Sequence, residues 1–305
     1  MHREEFDPGL TQQFTGVLRR TINKDGTFNV HRKGIRWRDF NLYLYLIDTS
    51  WPRFLSVILV LFLAINTVFA FLYLLVGFGH LHATDAKLSP VASAFFFSVH
   101  TLTTVGYGDI YPTGFAANLL SALEAATGLM LFAIATGLMY GRFSRPSARI
   151  VFSKSMLITP YQDGNSLQFR IANGRRNTLI EIEAKMLFMT VQTRDGGQKR
   201  DYYDLPLERP KVYFLPLTWT IVHPIDAESP LYGKTAEDLA KLEAEFMILI
   251  KAFDNTFSQT VNARYSYTKD EIVWGAKFTP VFRADENGDL VLDVDRIDEM
   301  RMLQS

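Results

Sequence analysis

From Phe54 to Gly79 the chain carries no charged residue, and from Phe115 to Gly141 only Glu124 interrupts the apolar run. At about 1.5 Å rise per residue, each run exceeds the roughly 30 Å hydrocarbon thickness of a bilayer and predicts a transmembrane helix. Between them, Pro90–Thr103 is apolar but only about 14 residues long, which predicts a re-entrant helix. Ser89 can cap its start, and Pro90 suits the first helical position. Its C-terminal end, the negative pole of the helix dipole, then aims at the loop that follows. Upstream, Trp37, Phe40, Leu44, Ile47 and Trp51 recur at steps of three and four, with Arg36, Arg38, Asp39 and Asp48 largely off that stripe. This is the pattern of a helix lying at the membrane–water interface, and Pro52 is expected to break it. The predicted order is a polar segment over 1–35, an interfacial helix over 36–51, and a pore domain over 52–146. Within the pore domain the outer helix is expected over 52–79, the short helix over 90–103, and the inner helix over 113–143.

After Pro146 the pattern changes. Strand-like stretches recur at Ser166–Ile171, Leu179–Thr193, Val212–His223, Glu245–Asp254, Thr260–Thr268 and Lys277–Phe282. Asp163-Gly164, Asn173-Gly174, Asp195-Gly196 and Asn287-Gly288 are expected turns. Thr235–Glu243 alone reads as a helix, with Thr235 as cap and Asp238 three residues on. Residues 147–305 are therefore expected to form an all-β sandwich. No G-x-G-x-x-G occurs, which argues against a Rossmann-type nucleotide sensor. Without a metal-ligand cluster, a nucleophile elbow or a P-loop, an enzyme reading has no support. No cofactor and no nucleic-acid partner are expected.

Charge adds the topology. Arg32, Lys33, Arg36, Arg38 and Arg53 precede the first span, and Arg142, Arg145, Arg149 and Lys154 follow the second. The outer segments, roughly 80–89 and 109–114, carry Lys87 as their only lysine or arginine, so both ends are expected in the cytoplasm. The first 35 or so residues lack the apolar core of a signal peptide. The formal net charge of +0 excludes nothing, and the absence of cysteine excludes disulfides and thiolate chemistry.

The candidate chemistry is Thr104-Val105-Gly106-Tyr107-Gly108, between the short helix and the second span. T-V-G-Y-G is the loop whose successive backbone carbonyls replace the water shell of a potassium ion. The glycines permit backbone angles that a side chain would forbid. One chain supplies one wall of such a filter, so a homotetramer is expected, with potassium as the permeant ligand. A transporter built on filter-like loops would need four pore repeats in one chain; here there is one.

The run LTWTIVHPIDA from Leu217 to Ala227, Ser229-Pro230-Leu231-Tyr232-Gly233, and ARYSYTKDEIVWGAKF from Ala263 to Phe278 resemble the inward-rectifier potassium channels. With the two-span layout, the resemblance covers about residues 36–283. It implies an immunoglobulin-like cytoplasmic sandwich and passive potassium conduction, gated at the inner-helix crossing by that domain and by anionic phospholipid. The short outer loops and the inner-helix ending GLMYGRFSRP are similar to the prokaryotic branch, which implies a bacterial inner membrane.

The resemblance further places Phe132, Thr136 and Tyr140, four apart on one face, along the cavity and gate, with Tyr140 at the narrowing. Gly128 and Gly137 match bending positions of the inner helix. Phe132 stands where strongly rectifying relatives are acidic, so block by magnesium or polyamines is expected to be weak. Glu181 and Glu271 match acidic positions of the cytoplasmic vestibule. His100 and Glu124 fall behind the filter, where His100 replaces the glutamate of many relatives and is expected to bond either Glu124 or a neighbouring loop. Arg53, Arg142, Arg145 and Lys154 fall near the cytoplasmic leaflet, as headgroup ligands would. Similarity to prokaryotic members favours inhibition by phosphoinositide.

Overall fold

A computed structural model describes residues 8–10, 13–14, 20–31, 33–34, 41–83, 88–145, 148–194 and 197–303. The chain divides into two units, one of residues 33–145 and one of residues 1–32 with 146–305.

In the first unit the short amphipathic helix is Leu42–Asp48, capped by Asn41, whose side chain accepts from the Leu44 amide. The expected residues 36–40 lie outside the described residues. The helix ends at Asp48 rather than at residue 51, because Thr49 and Ser50 are extended. Trp51 therefore opens the outer helix, Trp51–Val76, and Pro52 sits in its first turn, where a missing N–H costs nothing. Within the chain Leu46 and Ile47 are buried against Phe54 and Leu138, while Leu44 of the expected stripe is exposed. The outer helix stops at Val76, short of residue 79, because Gly77 takes a positive φ of 113°. The short apolar helix is Pro90–Leu102, with Ser89 accepting from the Ala92 amide at 3.3 Å. The inner helix is Gly114–Phe143. Strands Leu81–Ala83 and Ile110–Pro112, which the hydropathy pattern did not predict, pair antiparallel and tie the two outer loops together.

Tyr73, Ala70, Ala94, Phe97 and Ile110 pack the outer helix on the short helix, with the Tyr73 and Phe97 rings edge-to-face at 4.9 Å. Only 11% of the most apolar window of each long helix is buried within the chain. Such helices are not the core of a soluble domain; their outer faces require lipid or other copies of the chain.

The second unit is a two-sheet sandwich. One sheet runs in the order Gln13–Phe14, Gly197–Asp204, Leu179–Arg194, Glu245–Asp254, Gln259–Thr268, with Lys211–Phe214 also pairing Leu179–Arg194. The other runs Thr218–Ile225, Gly164–Asn173, Met156–Tyr161, Ile272–Trp274, with Ile150–Phe152 also pairing Gly164–Asn173. Alternate residues explain the core: Phe246, Ile248 and Ile250 meet Ile182, Met186 and Phe188 on one sheet, and Leu167, Phe169 and Ile171 on the other.

Two expected strands are split by proline, which cannot donate to a ladder. Val212–His223 becomes Lys211–Phe214 and Thr218–Ile225 around Pro216, and Lys277–Phe282 becomes Ala276–Phe278 and Phe282–Ala284 around Pro280. The turn expected at Asp163-Gly164 is centred one residue earlier: Gln162 takes the positive φ of 51°, and Gly164 pairs with Tyr161. Asp195-Gly196 lies outside the described residues. The helix is Ala236–Lys241, with Thr235 and Asp238 forming a reciprocal capping box.

Buried polar groups fix the Thr21-Ile22 segment and the stretch from Thr279 to Glu299. Glu245 accepts from the Thr21 and Ile22 amides. Arg170 donates to the carbonyls of Thr279, Ile297 and Glu299 and stacks on Phe278.

Candidate functional site

The Thr104–Gly108 loop is built on the last turn of the short helix. The Thr104 amide donates to Thr101 O (3.0 Å), and the Val105 and Gly106 amides both donate to His100 O (3.0 and 3.3 Å). Thr104, Gly106 and Gly108 hold positive φ of 59°, 52° and 81°, whereas Val105 and Tyr107 do not. Glycine adopts that region freely. A β-branched threonine there is strained, by an amount of order 1–3 kcal/mol, and such strain concentrates at functional sites. The side chains of Val105 and Tyr107 point away from any core of their own chain and are 51% and 74% exposed.

Behind the loop, Glu124 is fully buried. Tyr73 Oη donates to its Oε2 at 2.7 Å, and Ser98 Oγ makes a close contact with Oε1. Ser98 also lies 3.0 Å from Asn66 Oδ1. His100 is not part of this group. Its ring meets Tyr107 edge-to-face at 5.0 Å, and its Nδ1 is 3.8 Å from Asp109 Oδ1, so of the two expected partners it takes the neighbouring loop. Asn66, Tyr73 and Ser98 were missed in the sequence; polar residues inside otherwise apolar helices were the available signal.

On the inner helix Phe132, Thr136 and Tyr140 are all exposed, on a face away from the buried Leu138. Thr103, Thr104 and Phe132 line one open apolar cavity of about 590 Å³, together with outer-helix residues such as Phe62; Thr136 and Tyr140 are not part of its wall. Gly128 and Gly137 differ sharply. A Cβ on Gly128 would lie 2.0 Å from Leu102 O, so this glycine is required for close approach of the inner helix to the short helix, and the inner helix runs unbroken through it. A Cβ on Gly137 meets nothing within 4 Å.

The basic residues also separate. Arg142 donates to the carbonyls of Leu46, Ile47 (3.0 Å) and Thr49 (2.7 Å), and its guanidinium lies over the rings of Trp51 and Phe54. It therefore satisfies the open C-terminal carbonyls of helix Leu42–Asp48. Arg145 pairs with Asp48, and Arg53 is exposed. Lys154, in the other unit, pairs with Asp298 at 3.1 Å.

Of the two vestibule candidates, Glu181 is exposed, with Lys211 at 3.4 Å. Glu271 is instead consumed by structure: it accepts from the Thr268 amide and pairs with Arg20 and with Lys24 at 2.7 Å. Burial raises its proton affinity, but the hydrogen bond from Lys24, the Thr268 amide and the charges of Lys24 and Arg20 outweigh this and hold the carboxyl below its ordinary value. Among the described residues no cluster of metal-ligating side chains occurs.

A family model described as "Inward rectifier potassium channel C-terminal domain" matches residues 150–305, and one described as "Ion channel" matches residues 57–145. The chain is 37% identical over 285 residues to the inward rectifier potassium channel Kirbac3.1 of Paramagnetospirillum magnetotacticum, covering 92% of this chain and 95% of that one. It is 28% identical over 297 residues to the ATP-sensitive inward rectifier potassium channel 11 of Homo sapiens, covering 90% and 76%. Against the G protein-activated inward rectifier potassium channel 2 of Homo sapiens the identity is 27% over 302 residues, covering 88% and 69%.

Proposed function

Because the chain belongs to the inward rectifier potassium channel family, we propose that four copies assemble around Thr104–Gly108 and conduct potassium passively through the filter so formed. The observation that carries this reading is the loop itself: positive φ at Thr104, Gly106 and Gly108, anchored through two amides to His100 O. Alternating φ signs turn successive carbonyls toward one axis, where they can replace the ion's hydration shell. The exposed faces of the filter loop and inner helix are then the faces that meet the other copies.

Phe132, Thr136 and Tyr140 line the path below the filter, and rings at Tyr140 close it by dewetting. Phe132 offers no carboxylate to magnesium or polyamines, so rectification is weak. Glu181 remains as an acidic group for the cytoplasmic path; Glu271 is already paired. Anionic phospholipid acts at Arg53 and Arg145, where a headgroup phosphate competes with Asp48 for the guanidinium. Arg142 is coordinated by carbonyls and serves helix Leu42–Asp48 instead. The site of action is a bacterial inner membrane, with both ends in the cytoplasm.

Rubidium and sodium uptake into liposomes holding the full-length protein tests the proposal. Uptake of rubidium well above sodium is expected, with Gly106→Ala abolishing it, since alanine at a φ of 52° is strained in every copy. Equal rubidium and sodium uptake by the parent would overturn the reading.

A further inference from the structure

Asn66, Tyr73, Ser98 and Glu124 come from the two long helices and the short apolar helix of the membrane unit, and none is more than 1% exposed. Their hydrogen bonds can be counted. Asn66 Nδ2 donates to Phe62 O at 2.7 Å, which orients the amide and leaves Oδ1 facing Ser98 Oγ at 3.0 Å. Ser98 has one hydroxyl proton and two acceptors in reach, Asn66 Oδ1 and Glu124 Oε1. Both contacts are satisfied together when Glu124 carries a proton and donates it to Ser98, whose own proton then serves Asn66. Tyr73 donates to the other oxygen at 2.7 Å.

We propose that Glu124 is a positioning residue for the filter: as a carboxylic acid it closes the chain Tyr73→Glu124→Ser98→Asn66→Phe62 and locks the short helix to both spans. The proposal rests on the conduction reading above and states how the filter in it is held. Ser98 lies one turn and a half before Thr104, and the filter amides hang from His100 and Thr101 on the same helix. A tilt of this helix would therefore displace the filter backbone. One turn below Glu124, Gly128 sits against the Leu102 carbonyl, so the inner helix is keyed into the short helix at two successive levels. Bending of the inner helix is left to the stretch below, where Gly137 is unobstructed.

Rubidium and sodium uptake into liposomes, with size-exclusion chromatography as the assembly readout, tests this on full-length protein. Glu124→Gln should keep discrimination within about twofold of the parent, because an amide can donate to Ser98 and accept from Tyr73 as the acid does. Glu124→Ala leaves the Tyr73 hydroxyl buried without a partner and Ser98 with Asn66 alone, and should reduce discrimination by about tenfold or more. Tyr73→Phe deletes one bond of the chain and Ser98→Ala two, and they cover the case in which Glu124→Ala fails to assemble; both should assemble and show reduced discrimination. If Glu124→Gln is as impaired as Glu124→Ala, or if Ser98→Ala and Tyr73→Phe match a selective parent, the proposal falls. A parent that does not discriminate at all would instead overturn the conduction reading.

Discussion

In the β unit, Phe169, Phe188, Phe246 and Tyr267 are enclosed between two sheets, whereas in the membrane unit Leu59, Phe71, Leu129 and Phe132 lie exposed along two helices. Large apolar side chains thus serve opposite ends in the two regions. In water, their burial drives the sandwich together. In lipid, a leucine gains little by turning inward, so packing there must come from close approach and hydrogen bonding. The membrane unit supplies both: Gly128 against Leu102, the chain through Glu124, and Arg142 on the carbonyls of Leu46, Ile47 and Thr49. A small change in the membrane unit should therefore act through geometry, and a large one in the β unit through lost burial.

The strongest test of that contrast is a single methyl group. Gly128→Ala places a Cβ 2.0 Å from a backbone oxygen that cannot move alone, and should abolish rubidium flux; Gly137→Ala, with nothing within 4 Å, should leave assembly intact. Both are read by uptake and size-exclusion chromatography. In the β unit, Phe246→Ala removes a ring stacked on Phe188 at 4.9 Å and should cost about 3–5 kcal/mol, measured by denaturant unfolding of the full chain. A loss below 1 kcal/mol would mean that the sheets do not depend on this contact.

Arg142→Ala comes next. Losing charge-assisted bonds to three carbonyls should destabilise the membrane unit by about 2 kcal/mol and alter basal flux, seen in thermal scans in detergent. The smallest effect belongs to Glu271. Its carboxyl is held below the ordinary value of 4.5, so it contributes stability above that pH, and this stability is lost as pH falls through the folded-state value. Glu271→Gln should flatten the dependence of the denaturation midpoint below pH 4.5, with little change in shape above it. Identical pH profiles for parent and variant would show that pairing with Arg20 and Lys24 does not hold the N-terminal segment.

Features set by neighbouring residues were legible along the chain. Two uncharged runs long enough for a bilayer, Ser89-Pro90 at a helix start, a T-V-G-Y-G loop with glycines where φ must be positive, and Thr235 with Asp238 at a helix cap all act within a few residues. The exceptions were local rules in conflict with one another. Pro216 and Pro280 interrupted apolar runs read as single strands, and Ser50-Trp51 divided one apolar stripe between two helices.

Tertiary structure alone decided the partners. Tyr73 and Glu124 are 51 positions apart, and Arg20 and Glu271 are 251 apart. Whether a buried glutamate meets a hydroxyl or a histidine, whether a glycine bends a helix or admits a carbonyl, and whether an arginine is open to a phosphate or already coordinated all depend on which distant group arrives within about 3 Å. Hydropathy places a residue at a depth in the membrane, but that last distance is set by how three helices pack, which no spacing along one of them contains.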